Sequence, residues 1–145
     1  MLRIKTFKRD EKGATLAEYA IGASVFILAV FGVLEFGRAL WAHNALSDAA
    51  RRGARYAALH VKNDPGVKNV VVYDDPDGGT QPLLPDMTTD NVIVTYSDDF
   101  SVNSGTVTVK IDSYNFKFVL PFLPTQIAMP ASSTTLTGEC AGAIP

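Results

Sequence analysis

The sequence has few of the residues that catalysis and disulfide bonding require. It contains one cysteine, Cys140, and two histidines, His43 and His60, among 145 residues. A single cysteine excludes an intrachain disulfide and leaves three alternatives: a free thiol, an intermolecular bond, or a small apolar side chain near the C-terminus. The sequence has no G-x-S-x-G motif and no glycine-rich phosphate loop after a strand. It therefore gives no positive sign of an enzyme, and we expect no cofactor.

Basic residues are also scarce in the C-terminal part of the chain. Residues 63–145 carry three lysines against ten acidic residues, whereas residues 1–13 carry five basic and two acidic residues. An acidic surface repels phosphate, so we expect no nucleic-acid partner. A basic tip, an apolar run and an acidic body predict an N-terminus in the cytoplasm and a body outside it, because positive flanks stay on the cytoplasmic side.

The loop of residues 74–86 is the one candidate for a metal site. Asp75, Asp77 and Asp86 carry oxygen ligands that suit calcium, but their spacing departs from the EF-hand pattern. Thr80 stands where that pattern has its turn glycine, and Asp86 replaces the bidentate glutamate. The alternatives are a calcium site and a solvated loop, and the spacing favours the solvated loop, so we expect no metal.

The apolar run after the basic tip is predicted to span a membrane. Sixteen uncharged residues separate Glu18 from Glu35. As a helix they rise about 24 Å, slightly less than a hydrocarbon core of ~30 Å, so the span takes in residues 14–17 and places Glu18 near the headgroups. The alternatives are a core helix, for which the remaining chain is too short, and a cleaved secretory signal. The small-residue site of such a signal, at residues 42–45, lies beyond Glu35.

The outer end of the span carries residues typical of a membrane interface. Glu35 and Arg38 are three residues apart on a helix and are predicted to form a weak ion pair there. Trp41 and His43 follow at the position of an interfacial aromatic belt.

Helical periodicity continues beyond the apolar run to about residue 62. Small residues recur at every fourth position and predict a narrow ridge along the helix. They are Ala45, Ala49, Gly53 and Ala57. This ridge is predicted to pack against helices of other subunits in an assembly or against the sheet of its own chain. The two are compatible, because so long a helix has more surface than the body can cover.

The rest of the chain is predicted to form short strands. Residues 91–97 and 106–118 alternate apolar and polar side chains, residues 70–73 are a short apolar run, and residues 132–137 are a candidate closing strand. The apolar phase switches near Asp112 and predicts a bulge or bend. The fold class is therefore α+β: a long N-terminal helix followed by a small antiparallel β-sheet head.

The start of the apolar helix resembles a known processing site. Lys12-Gly13-Ala14-Thr15-Leu16-Ala17-Glu18 resembles the site in type IV pilin-like precursors, which a membrane prepilin peptidase cuts after the glycine. Over roughly residues 9–60 the chain is similar to TadE-like pseudopilins of the tight-adherence (Tad) pilus. The E-F-G-R at residues 35–38 and the A-R-x-G-A-R-Y-A at residues 50–57 carry this resemblance.

The resemblance implies a minor pilin or pseudopilin, a structural subunit that is cut between Gly13 and Ala14. The cut creates an amine at Ala14, and Glu18 lies four residues along the same helix face. In the family this acid is thought to pair with the amine of its own or a neighbouring subunit during assembly; the alternative is an interfacial acid facing water. The implied partners are other pilins, the inner-membrane assembly platform, the peptidase and membrane lipid.

The implied organisation has four parts. They are a cleaved leader (1–13), a transmembrane half-helix (14–37), an extracytoplasmic amphipathic half-helix (38–63) and a β-rich head (64–145). The main alternative is an uncleaved single-pass anchor that carries an extracytoplasmic binding or sensor domain, and a third is a secreted hydrolase.

Overall fold

The chain begins with one long, proline-free helix. The computed structural model describes residues 11–119 and 125–138, with side chains from residue 13 onward. Helix α1 runs over Glu11–Leu59, 49 residues, and ends three residues before the predicted limit. The expectations for the leader before residue 11 and for Cys140 lie outside the described residues.

A second helix occupies the position where a strand was predicted. Helix α2 covers Asp64–Tyr73, so the assignment of residues 70–73 to a strand was wrong. Its N-cap, Asn63, accepts a hydrogen bond from the Gly66 N–H at 3.2 Å, and Pro65 occupies the first turn. Three consecutive valines favour a strand locally, but this cap starts a helix and burial of one valine face against α1 stabilises it.

Three antiparallel strands form the main sheet. Strand β1 (Val92–Tyr96) and the last strand, β5 (Ser132–Thr137), both pair with β2 (Thr106–Ile111), in the order β1-β2-β5. A short 3-10 helix, Thr89–Asn91, leads into β1. The predicted strand regions 91–97 and 132–137 are therefore confirmed, and the alternation in β2 buries Val107, Val109 and Ile111 on one face.

After β2, where the apolar phase was predicted to switch, the chain leaves the main sheet and starts a second one. The chain turns at Ser113, whose φ is 58°, in the left-handed region. Strand β3 (Asn115–Lys117) then pairs antiparallel with β4 (Gln126–Ala128), with Phe116 opposite Ile127. The predicted bend is confirmed, and it sends a second hairpin along α1 and away from the main sheet.

The hydrophobic core lies between the second half of α1, α2 and the main sheet. Its α1 members are mostly alanines, which let neighbouring backbones approach closely. From α2 and β2 come valines such as Val71 and Val109, and the loop before β1 adds Leu84 and Met87. A long apolar helix followed by a small antiparallel sheet confirms the predicted α+β class and is consistent with a pilin-like architecture.

Candidate assembly site on the N-terminal helix

The predicted cleavage and assembly residues lie in the first turns of α1. Gly13, Ala14 and Glu18 are all exposed, and a Cβ added at Gly13 would meet nothing within 4 Å. Ala14 and Glu18 are separated by one helical turn and share a face of α1. Within residues 11–119 and 125–138, no hydrogen bond or ion pair involves the Glu18 carboxylate. The structure places these residues together; their roles in cleavage and assembly stay predictions.

The apolar run of α1 lies outside the core. The helix has the length and composition to cross a membrane, and only 6% of its most apolar 18-residue window is buried. Large side chains such as Phe26, Leu28 and Phe31 point away from the rest of the chain and are about half exposed or more. The run is therefore not a core helix of the described body, and it fits a single-pass membrane protein.

The C-terminal end of the run contacts the β3–β4 hairpin. Arg38 Nη1 lies 2.6 Å from Glu35 Oε1, which is the predicted ion pair. Glu35 Oε2 also accepts a hydrogen bond from the Val119 N–H at 3.4 Å, and Arg38 stacks over the Phe116 ring at 5.2 Å. These contacts leave Glu35 only 6% exposed, whereas Trp41 is 60% exposed. Glu35 therefore joins the helix to the hairpin.

The small-residue ridge packs within its own chain. Ala49, Gly53 and Ala57 are buried and Ala45 is half-buried. A Cβ added at Gly53 would lie 2.2 Å from Val71 Cγ2 and 3.4 Å from Val109 Cγ1. The structure therefore has the intramolecular packing, with α2 and β2 as the partners at Gly53, and packing of the helix against other subunits stays a prediction. The described structure therefore leaves no free ridge for a neighbouring helix at Gly53.

Comparison with known proteins gives one match, and it lies on this helix. Residues 13–55 match the model of the family described as TadE-like protein. This helix is TadE-like. Neither the search of curated proteins nor that of solved structures found a match.

The resemblance drawn from the sequence is thus confirmed for the TadE-like segment, which begins at the predicted cleavage glycine. It contains the run that could span a membrane and most of the residues of α1 that pack in the head. The match indicates a membrane protein related to the Tad pilus system.

The remaining candidate residues lie away from the start of the TadE-like helix. Asp75 accepts a hydrogen bond from the Asp77 N–H at 2.9 Å, and Asp86 pairs with Lys117 at 2.8 Å. The described residues contain no group of three or more histidine, cysteine or acidic side chains that could hold a metal ion. His43 is half-buried beside the hairpin.

The hairpin contact at Glu35 is what sequence reasoning missed. A glutamate three residues before an arginine predicts the ion pair. It does not show that the backbone N–H of Val119, 84 residues later and just after β3, reaches the same carboxylate. The one available signal was the phase switch near Asp112, since it already indicated that the chain leaves the main sheet before Val119.

Proposed function

We propose that the chain is a minor pilin or pseudopilin of a tight-adherence-type pilus or secretion filament. In this proposal α1 holds the subunit in the bacterial inner membrane, with the N-terminus in the cytoplasm and the head outside, until it joins other pilins at the assembly platform. The observation that carries the proposal is the TadE-like match over residues 13–55, on a helix exposed in its first half and packed into a head in its second. Prepilin peptidase would cut the precursor between Gly13 and Ala14.

Glu18 would act in assembly. Its carboxylate is exposed and has no ionic partner among the described residues, which leaves it available to an amine supplied by cleavage. A carboxylate at the edge of a bilayer is costly when unpaired, and a cationic partner offsets that cost. The new amine of Ala14, in the same or a neighbouring subunit, is such a partner.

Processing is tested at Gly13. A larger residue at the cut position should block the peptidase, so Gly13→Leu should leave a precursor that is heavier by the 13-residue leader. Gly22→Leu is the matched control, because Gly22 lies on the same helix and also has nothing within 4 Å of an added Cβ. The mature N-terminus is read by mass spectrometry from native membranes. Equal amounts of protein starting at Ala14 in wild type and Gly13→Leu would refute the predicted site.

Assembly is tested at Glu18. Glu18→Ala should be cut and remain in the membrane, because insertion does not need the charge and the cleaved bond lies one helical turn away. It should be lost from sheared filaments or from crosslinks to other pilins, and Glu18→Gln should show a smaller loss. Ser24→Ala removes an exposed hydroxyl that only bonds to the Ala20 carbonyl, so it should assemble normally. Normal incorporation of Glu18→Ala into filaments would refute the assembly role and indicate that Glu18 is an interfacial acid that faces water.

An uncleaved single-pass anchor is the second candidate. One observation favours it: α1 begins at Glu11, so the Gly13–Ala14 bond lies inside a helix and must unwind to enter a peptidase. An intact leader on all of the native protein would select this alternative, and an N-terminus at Ala14 would select the pilin.

A further inference from the structure

An apolar groove separates the β3–β4 hairpin from α1. Its open volume is about 550 Å³. On the helix side it is lined by Phe36 and Leu40, and on the hairpin side by Phe118, Ile127 and Met129. Phe36 is 65% exposed and Ile127 is 50% exposed, although both are large and apolar.

The groove lies at the level where the apolar run of α1 ends. Glu35 is the first charged residue after the uncharged run, and its carboxylate accepts the Val119 N–H at 3.4 Å. With residues 14–17 included, that run is about as long as a hydrocarbon core. If α1 spans the membrane, Val119 and the neighbouring hairpin therefore lie at the outer boundary between headgroups and acyl chains.

The chemistry of the groove suits lipid better than a protein partner. An apolar patch that docks a protein is normally enclosed by a polar rim. Here the apolar surface continues from Phe36 past Gly32 into the run itself, and Glu35 and His43 are the polar side chains among the described residues that line the groove. The charges beside it are neutralised within the chain, Glu35 by Arg38 at 2.6 Å and Lys117 by Asp86 at 2.8 Å. Such a surface enters the headgroup boundary without carrying an unpaired charge into it.

We propose that the β3–β4 hairpin is a second membrane contact of this protein, with Ile127 and Val119 in the outer boundary of the bilayer that α1 spans. The inference rests on the membrane-spanning role proposed for α1. The hairpin then fixes how the head is oriented on the membrane, and it must leave the lipid when the subunit enters a filament.

The test is a spin-label measurement on the full-length protein in vesicles of phosphatidylethanolamine and phosphatidylglycerol. Cys140→Ser removes the native thiol, and single cysteines are introduced by Ile127→Cys, Leu136→Cys and Leu28→Cys. Leu136 is an exposed leucine on β5, away from the groove, and Leu28 is an exposed leucine of the run. Oxygen, which concentrates in lipid, and a water-soluble nickel chelate report the surroundings of each label.

We expect the label at 127 to lose most of the nickel relaxation seen at 136 and to show oxygen relaxation close to that at 28. Val119→Cys, at a side chain that is 75% exposed, provides a second site and should behave like 127. Nickel access at 127 equal to that at 136, with 28 still in lipid, would overturn the hairpin contact and leave the spanning helix intact. Nickel access at 28 would overturn both. Protection from both reagents at 127, increasing with the protein-to-lipid ratio, would identify a second copy in the groove and also refute the proposal.

Discussion

Gly53 is a position where adding a single methyl group should destabilise the head, and the structure gives the reason. In Gly53→Ala the new Cβ would lie 2.2 Å from Val71 Cγ2, well inside the ~3.5–4.0 Å at which carbon atoms pack. Overpacking of this kind costs about 1–3 kcal/mol, and replacing a helical glycine by alanine returns about 1 kcal/mol. We expect a net destabilisation of the head of about 1 kcal/mol from these two effects.

A double-mutant cycle isolates the contact. Val71→Ala removes Cγ2, and the next atoms around the new Cβ are then Val109 Cγ1 at 3.4 Å and Val71 Cβ at 3.7 Å, which are ordinary contacts. On the Val71→Ala background Gly53→Ala should therefore be neutral or stabilising, and the coupling free energy should be about 1–3 kcal/mol.

The assay is native-state hydrogen exchange of the β2 amides in the full chain in detergent micelles, since these amides report opening of the core. Gly37→Ala is the matched control, because an added Cβ there meets nothing within 4 Å. If Gly53→Ala has the same effect with valine and with alanine at position 71, α2 does not cover the ridge. The ridge would then be free for another subunit, against the packing described here.

Three further substitutions should change the stability of the head, measured by the same hydrogen-exchange assay or by urea unfolding. Asn63→Ala removes the side chain that caps α2 and should cost about 1 kcal/mol, seen as faster exchange of the α2 amides. Tyr114→Phe removes the hydroxyl that donates to the Pro85 carbonyl at 3.1 Å and should lower the free energy of unfolding by about 0.5–1.5 kcal/mol. The hydrogen bond from Lys110, then that from the Ser113 N–H, lowers the pKa of Asp112 below its usual 3.8. Because the folded pKa is the lower one, this stabilisation is complete above about pH 3.8 and is lost as the pH falls through the folded value. The urea midpoint of Asp112→Asn should therefore fall less steeply than that of wild type below pH 3.8.

The long helix and strands β1 and β2 could be predicted because each depends on a regular local pattern, whereas nothing in the sequence predicted β4. A proline-free apolar run defines α1, and alternation in β1 and β2 marks the buried face of the sheet. Helix α2 could not be predicted in this way, because its valines favour a strand and only packing against the alanines of α1 decides for a helix. Its N-cap, Asn63, belongs to an Asn-Asp-Pro-Gly stretch that also marks the end of the preceding helix, so the sequence by itself does not show that a new helix starts there.

The candidate site is likewise predictable only where its residues are close in the sequence. Gly13, Ala14 and Glu18 are close in sequence, so helical geometry alone places them on neighbouring turns. The packing of Gly53 against Val71 and the contact of Glu35 with Val119 depend on the tertiary fold, and local spacing carries no information about them. The small residues of the ridge could be read from their spacing, whereas the residues that cover them depend on the tertiary fold.

One continuous helix joins the run that could span a membrane to the head, and this has a mechanical consequence. Residues of α1 from Ala42 to Ala58 are fixed in the core, and the same helix extends without proline back to Glu11. With no flexible joint between the two halves, the head cannot turn independently of the span. A displacement of the span by one helical turn would carry the head outward by about 5.4 Å, and a rotation about the axis would turn it by the same angle. If the run spans a bilayer, a movement of the span is therefore transmitted to the head through the helix itself.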